Sequence, residues 1–340
     1  MISGLVFTVV FVAAFVLTWL LRRYALATSL MDIPNERSSH SVPTPRAGGL
    51  AIVLCFLAVL PVIGVFAWLP WSFLTGLIGA GAIVAVLGFL DDRGHVAVRW
   101  RLLGHFAAAV WALYSMGGLP PLLILGYSFD LGVMGHVLAA VYIVWLLNLY
   151  NFMDGIDGLA AIEAICVCLS GAVLYILLGA PTLAVAPLLL TAAVAGFLCW
   201  NFPPARIFMG DAGSGFLGVV LAVLSLQAGW FKAELLWSWI ILLGVFVVDA
   251  TFTLLRRLLR GDKIYEAHRI HAYQYASRQC AGHRPVTLDV MFINLAWLLP
   301  MALLVGLGYV EGLLGVLIAY LPLVLLAVKL KAGQLEEVVD

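Results

Sequence analysis

Eleven apolar runs, each close to the length of a bilayer-crossing helix, constrain this chain more than any other feature. They lie at roughly 3–21, 48–69, 73–90, 102–117, 133–150, 159–179, 183–200, 213–230, 236–256, 287–308 and 312–328. About 20 apolar residues are needed to cross the hydrocarbon core as a helix. In lipid each backbone N–H and C=O must be satisfied within the protein, so long apolar runs fold as helices. Composition agrees: 64% of the 340 residues are hydrophobic and 11% charged, where a soluble domain carries roughly 25% charge. The reading is an all-α polytopic membrane protein with about eleven transmembrane helices, in one integral-membrane domain over 1–340.

The few charges are sorted by side. The odd-numbered gaps and the tail hold Arg22, Arg23, Arg37, Arg46, Arg93, Arg99, Arg101, Arg206, Arg256, Arg257, Arg260, Lys263, Arg269, Arg278, Arg284, Lys329 and Lys331. That is 17 of the 18 Lys and Arg; Lys232 alone falls on the other side. The positive-inside rule makes the rich side cytoplasmic, with the N-terminus outside and the C-terminus inside. Arg22-Arg23 follow the first apolar run, so that run reads as a retained anchor rather than a cleaved signal. On the outer side, Gly117-Gly118-Leu119-Pro120-Pro121 breaks the chain before two short apolar stretches around Gly126, a pattern for a small hairpin near 120–132.

Net charge is zero, which gives no bulk attraction to nucleic acid. Five Cys are present. Cys166 and Cys168 stand two apart on an expected helix and point away from each other, so neither a zinc site nor a disulfide framework is implied.

Into this apolar background the sequence inserts Asn148-Leu-Tyr-Asn151-Phe-Met-Asp154-Gly-Ile-Asp157-Gly158. Unpartnered polar groups do not face lipid. Steps of three residues on a helix drift about 60° each, so the first two or three of these side chains share a face and the last requires the chain to leave the helix. The expectation is a membrane helix ending in a carboxylate-lined turn. Other polar motifs fall on the same side: Asp91-Asp92 closing the third run, Asn201 closing the seventh, Gly210-Asp211-Ala-Gly-Ser214 opening the eighth, His268-Arg269-Ile-His271 after the ninth, and Asp32 to His40 with Pro43-Thr-Pro-Arg46-Ala47-Gly-Gly49 in the first loop.

Carboxylates at loop edges are hard ligands for Mg²⁺, which keeps waters and takes phosphate oxygens. Glycine-rich helix starts offer N–H groups to anions, and Arg and His neutralise phosphate charge. The chemistry indicated is metal-assisted phosphate transfer at a membrane surface. A secondary transporter is the rival reading, as is a lipid-handling protein. Transporters, however, place acidic residues near the midplane of repeated halves, and here they gather at one end. Asp249 and Glu163 lie inside runs nine and six, either bonding neighbouring helices or lining a polar groove.

Asp91-Asp92, the Asn148–Ala160 run, Gly210-Asp211-x-Gly-Ser214 and the Pro-Thr-Pro-Arg-x-Gly-Gly loop together resemble the polyprenyl-phosphate N-acetylhexosamine-1-phosphate transferases, from the first cytoplasmic loop to the last. The resemblance implies an enzyme of the bacterial inner membrane, often a homodimer. It would move a sugar-1-phosphate from a UDP-N-acetylhexosamine to undecaprenyl phosphate within the membrane lipid, release UMP and need Mg²⁺, with Mn²⁺ as a substitute. Carried over by position, Asp211 resembles the principal metal ligand, with Asp154 beside it. Asp91 and Asp92 resemble the acidic pair near the attacking phosphate. Asn148, Asn151, Asp154 and Asp157 resemble the nucleotide and metal-proximal cluster, and His268, Arg269 and His271 the pyrophosphate-binding loop. Arg46, Arg101 and Asn201 are further substrate-binding candidates. The last loop lacks the triple-His segment of the peptidoglycan-precursor branch and is similar to the branch serving O-antigen and related surface glycans. Ala47 stands where a third Gly is common, a change expected to have little consequence.

Overall fold

A computed structural model describes residues 2–34, 42–94, 96–263, 269–280 and 282–335. The predicted segment 35–40 of the first loop and His268 lie outside these residues. The helices are α1 (Ile2–Ala27), α2 (Leu50–Val65), α3 (Trp71–Arg93), α4 (Val98–Met116), α5 (Gly132–Met153), α6 (Leu159–Leu177), α7 (Val185–Asn201), α8 (Asp211–Phe231), α9 (Ala233–Leu242), α10 (Gly244–Arg260), α11 (Ala272–Gln279), α12 (His283–Ile293), α13 (Leu299–Gly306) and α14 (Gly312–Lys329). A π-helical turn, Asn294–Leu298, joins α12 to α13.

Every expected apolar run coincides with helix. Among the described residues, seven helical runs are long and apolar enough to cross a membrane, eight if the bent pair α9–α10 counts as one. The 16-residue α2 and 17-residue α7 are apolar but shorter.

The ninth run departs from expectation. It is two helices, α9 and α10, bent by 69°. The Tyr320 hydroxyl donates to the Ile240 carbonyl at 2.6 Å, which satisfies an acceptor that a continuous helix would offer to residue 244. Beyond the bend α10 is amphipathic. Leu255, Leu258 and Leu259 are exposed, while Arg256 and Arg260 reach the carbonyls of Ala332 and Gly333. Gly261 ends it in a left-handed conformation.

The centre of the bundle is α8. Its residues are buried almost continuously from Ala212 to Leu226, and it packs on α3, α5 and α9. Small residues allow this closeness: a Cβ on Gly88 of α3 would fall 2.5 Å from the Ala212 nitrogen, and one on Gly218 2.7 Å from Leu147 Cα. Such stripes replace the hydrophobic driving force that is absent between helices in lipid.

The predicted hairpin forms. Strands β3 (Leu122–Ile124) and β4 (Tyr127–Phe129) pair antiparallel, with Leu122 opposite Phe129. Trp237 Nε1 donates to Leu123 O at 2.8 Å, and Leu125 N to Glu311 Oε1 at 3.1 Å. The hairpin precedes α5 and the polar turn follows it; 22 residues of helix separate the two by about 33 Å. The two features therefore occupy opposite ends of the bundle.

Candidate active site

The polar motifs meet at the end of the bundle reached by the C-terminus of α5. There α5 stops at Met153, Asp154 caps it, and Gly158 at φ 74° turns the chain into α6. The start of α8 is fixed from two directions. Phe208 N donates to Pro45 O, and Gly48 N and Gly49 N donate to Phe208 O and Met209 O, all within 2.8–2.9 Å. These bonds lay the Pro-Thr-Pro-Arg-Ala-Gly-Gly segment along 208–209. From the other side Asp92 Oδ1 and Oδ2 accept the backbone N–H groups of Asp211 and Ala212 at 3.2 and 3.3 Å, a carboxylate at a helix N-terminus. Gly210 at φ 78° has no room for a side chain, since its Cβ would meet Asp92 Oδ2 at 2.8 Å.

The result is a cavity of about 230 Å³ whose walls include Arg46, Asp92, Asn151, Asp154, Asp157, Asn201, Asp211 and Ser214. Asn151 Nδ2 bonds Asp211 Oδ1 at 2.9 Å and Ser214 Oγ at 3.1 Å. Arg46 is held by the Asp92 carbonyl. Among the described residues Asp154 makes no side-chain hydrogen bond. Burial first, then the nearby charges of Asp211, Asp92 and Asp157, push its carboxyl well above the usual carboxylate range.

A second cavity, about 50 Å³, shares Asn151 and Asp211 with the first and runs between α3, α4 and α5 past Asp91, Arg101, His105 and Asn148. Asp91 Oδ1 accepts from Val96 N at 2.9 Å, and its other oxygen pairs with Arg101. Arg101 also lies 4.0 Å from Asp211 Oδ2. The adjacent aspartates thus divide: Asp92 turns to the main cavity and Asp91 to the side one.

The predicted candidates do not all arrive as contacts. Asp157 is committed to the protein, with Oδ2 accepting from Ala205 N at 2.9 Å and Oδ1 3.1 Å from His283 Nδ1. Asn201 accepts from Gly158 N and donates to Ile207 O, each at 2.9 Å. Both residues border the cavity, but what they visibly do is tie the α5–α6 turn to the segment before α8. His271 is absent from the cavity wall. It is buried between the rings of Phe152 and Tyr273, with Nδ1 3.1 Å from Asp249 Oδ1. Asp249 also accepts from the backbone nitrogens of Ala272 and Tyr273 at 3.0 Å, so it bonds a neighbouring helix, as one of its two expected readings had it. Glu163 does likewise, receiving Asn294 Nδ2 at 2.6 Å. Arg269 is exposed and outside the wall.

Two wall residues were not anticipated, Gln274 and His283. Each is a single polar residue in the basic stretch between the ninth and tenth apolar runs, with no spacing to mark it.

Among the described residues no three His, Cys, Asp or Glu side chains form a ready-made metal cage. A divalent ion that relies on one or two carboxylates and on phosphate oxygens needs none. The donor set fits such an ion: Asp154 is a half-buried carboxylate with no hydrogen-bond donor among the described residues, lining the same cavity as Asp211.

Residues 74–229 match the family described as "Glycosyl transferase family 4". Over 297 residues the chain is 32% identical to the probable undecaprenyl-phosphate N-acetylglucosaminyl 1-phosphate transferase of Bacillus subtilis, covering 85% of this chain and 81% of that one. It is 27% identical over 287 residues to the undecaprenyl-phosphate alpha-N-acetylglucosaminyl 1-phosphate transferase of Thermotoga maritima, covering 83% and 84%. It is 29% identical over 307 residues to the decaprenyl-phosphate N-acetylglucosaminephosphotransferase of Mycobacterium tuberculosis, covering 79% and 74%. With its motifs gathered at one cavity and most of each relative's length matched, the chain belongs to glycosyl transferase family 4 and is an enzyme of its phospho-N-acetylhexosamine transferase class.

Proposed function

We propose that this enzyme transfers N-acetylhexosamine 1-phosphate from a UDP-sugar to undecaprenyl phosphate, at the cytoplasmic face of a bacterial inner membrane, and releases UMP. The observation that carries this reading is the convergence of Asp92, Asp154 and Asp211, with Asn151 and Arg46, on one cavity, from segments as distant as the first loop and α8. UDP-N-acetylglucosamine is the donor the relatives' names point to. The last loop, without a triple-His segment, favours the surface-glycan branch, in which the product begins O-antigen or a related polysaccharide.

The main cavity receives the nucleotide-sugar. Mg²⁺ on Asp211 and Asp154 would supply charge neutralisation for the diphosphate and the leaving UMP. Asn151 holds Asp211 in orientation, and Arg46 adds fixed positive charge to the same wall. The side cavity receives the lipid phosphate. It joins the first at Asp211 and carries Arg101, whose guanidinium Asp91 keeps in place. A phosphate monoester has its second pKa near 6, so the lipid phosphate is already mostly ionised and needs no strong base. Asp91 and Asp92, each engaged by N–H donors, act as anchors in this scheme. A lipid phosphate oxygen attacks the β-phosphorus, a new P–O bond forms, and the bond to UMP breaks in line. Positioning and electrostatics supply the rate.

The test is purified protein with UDP-N-acetylglucosamine, Mg²⁺ and undecaprenyl phosphate. UMP should form only when all three are present. UMP–donor exchange without lipid would replace direct attack by a covalent enzyme intermediate, and no UMP from any UDP-N-acetylhexosamine would remove the proposal.

A further inference from the structure

Gln274 sits in the first turn of α11 and is buried. Its Oε1 accepts the backbone N–H of His271 at 3.2 Å. That bond fixes which way the amide faces. Only the oxygen can accept from an N–H, so the NH₂ end points away from the backbone. Nε2 then lies beside the polar turn: a Cβ on Gly155 would fall 3.3 Å from it. Gln274 lines the main cavity, and among the described residues Nε2 makes no hydrogen bond.

The neighbours on that wall differ. Asp157 is spent on Ala205 and His283, and Asn201 on Gly158 and Ile207. The helix that carries Gln274 is clamped at its start by Asp249, through the nitrogens of Ala272 and Tyr273, and the Tyr273 hydroxyl donates to Phe152 O at 3.0 Å. Gln274 therefore presents a rigidly mounted, uncharged N–H donor to a cavity whose wall also carries Asp92, Asp154, Asp157 and Asp211.

We propose that Gln274 is a specificity-determining residue whose amide donates to an uncharged carbonyl oxygen of the nucleotide-sugar. The inference rests on the reaction proposed above. Charge separates the two parts of the substrate. The diphosphate goes to the metal ligands and Arg46, and a neutral donor pairs with a neutral acceptor. A UDP-N-acetylhexosamine offers such carbonyls in its acetamido group and in its uracil ring. A site built to hydrogen-bond one group discriminates strongly against a ligand lacking it, because the buried donor is left unpaired.

Gln274→Glu separates this role from a structural one. The glutamate keeps an acceptor for His271 N and loses the donor. Gln274→Met keeps neutrality and length and loses both. The expected result is a KM for UDP-N-acetylglucosamine raised about 10- to 100-fold in both variants, with thermal stability retained in Gln274→Glu. If the acetamido carbonyl is the acceptor, Gln274→Met also loses the wild type's preference for UDP-N-acetylglucosamine over UDP-glucose, while inhibition by UMP is unchanged. If the uracil carbonyl is the acceptor, UMP inhibition weakens by the same factor as substrate binding. Wild-type KM in Gln274→Glu, with only the stability of Gln274→Met reduced, would overturn the proposal and leave Gln274 as a helix cap. Wild-type protein that turns over no UDP-N-acetylhexosamine would instead overturn the reaction itself.

Discussion

Asn151 Nδ2 donates to Asp211 Oδ1 at 2.9 Å, joining the last turn of α5 to the first residue of α8. Asp211 also stands 4.0 Å from Arg101. Without the amide, its carboxylate is free to turn toward that guanidinium and away from the main cavity. Asn151→Ala is expected to lower Mg²⁺ affinity about 10- to 100-fold, the range found when the partner that orients a metal ligand is removed. Mg²⁺ titration of UMP release measures it, and an unchanged activation constant would contradict the assignment.

Asp92 gives both carboxylate oxygens to N–H groups at the start of α8. Asp92→Asn keeps one acceptor, loses the charge, and should cost about 1 kcal/mol. Thermal unfolding in detergent should show a midpoint lower by a few degrees, with activity falling in parallel. A variant with wild-type stability and no turnover would return Asp92 to a direct chemical role.

Asp154 is held above the usual carboxylate range by burial and by its carboxylate neighbours. To bind a cation its carboxyl must be ionised. A raised pKa in the metal-free protein therefore makes Mg²⁺ binding tighter as pH rises, and metal uptake should release protons. As pH rises the Mg²⁺ activation constant should fall. In Asp154→Asn that slope should flatten. A pH-independent constant in the wild type would count against Asp154 as a ligand.

Ala47 adopts φ 73°, a left-handed conformation that costs a residue with a Cβ about 1–2 kcal/mol. Alanine in place of the common Gly was expected to have little consequence; the structure shows a backbone cost instead. Ala47→Gly should raise stability by about 1 kcal/mol with activity unchanged, and Ala47→Val should lower it. Unfolding midpoints of the three proteins check the order.

The Asn/Asp run was readable because polar groups in an apolar background must converge on something. The expected fan of its side chains is what the structure contains. Asn148 reaches the side cavity, Asn151 both cavities, and Asp154 and Asp157 the main one. The helices were readable for the same reason, lipid leaving no alternative. The bend between α9 and α10 was not, because the hydroxyl that takes up the Ile240 carbonyl there comes from Tyr320, 80 residues away. The surroundings of the His motif were not readable. Spacing marks His271 as polar and loop-borne but carries no trace of the Asp249 carboxylate that buries it. Gln274 enters the wall because that same carboxylate mounts α11, a relation no local pattern encodes.

The central claim is that Asp154 of the α5–α6 turn and Asp211 of α8, with Asp92 of α3 anchoring the start of α8, hold a metal-bound diphosphate in one cavity. Its most direct test is equilibrium binding of UDP-N-acetylglucosamine to purified wild type and Asp211→Asn, each with and without Mg²⁺. The account predicts tight binding only in wild type with Mg²⁺, weakened at least about 10-fold in the other three conditions. Equal affinity in all four would contradict it.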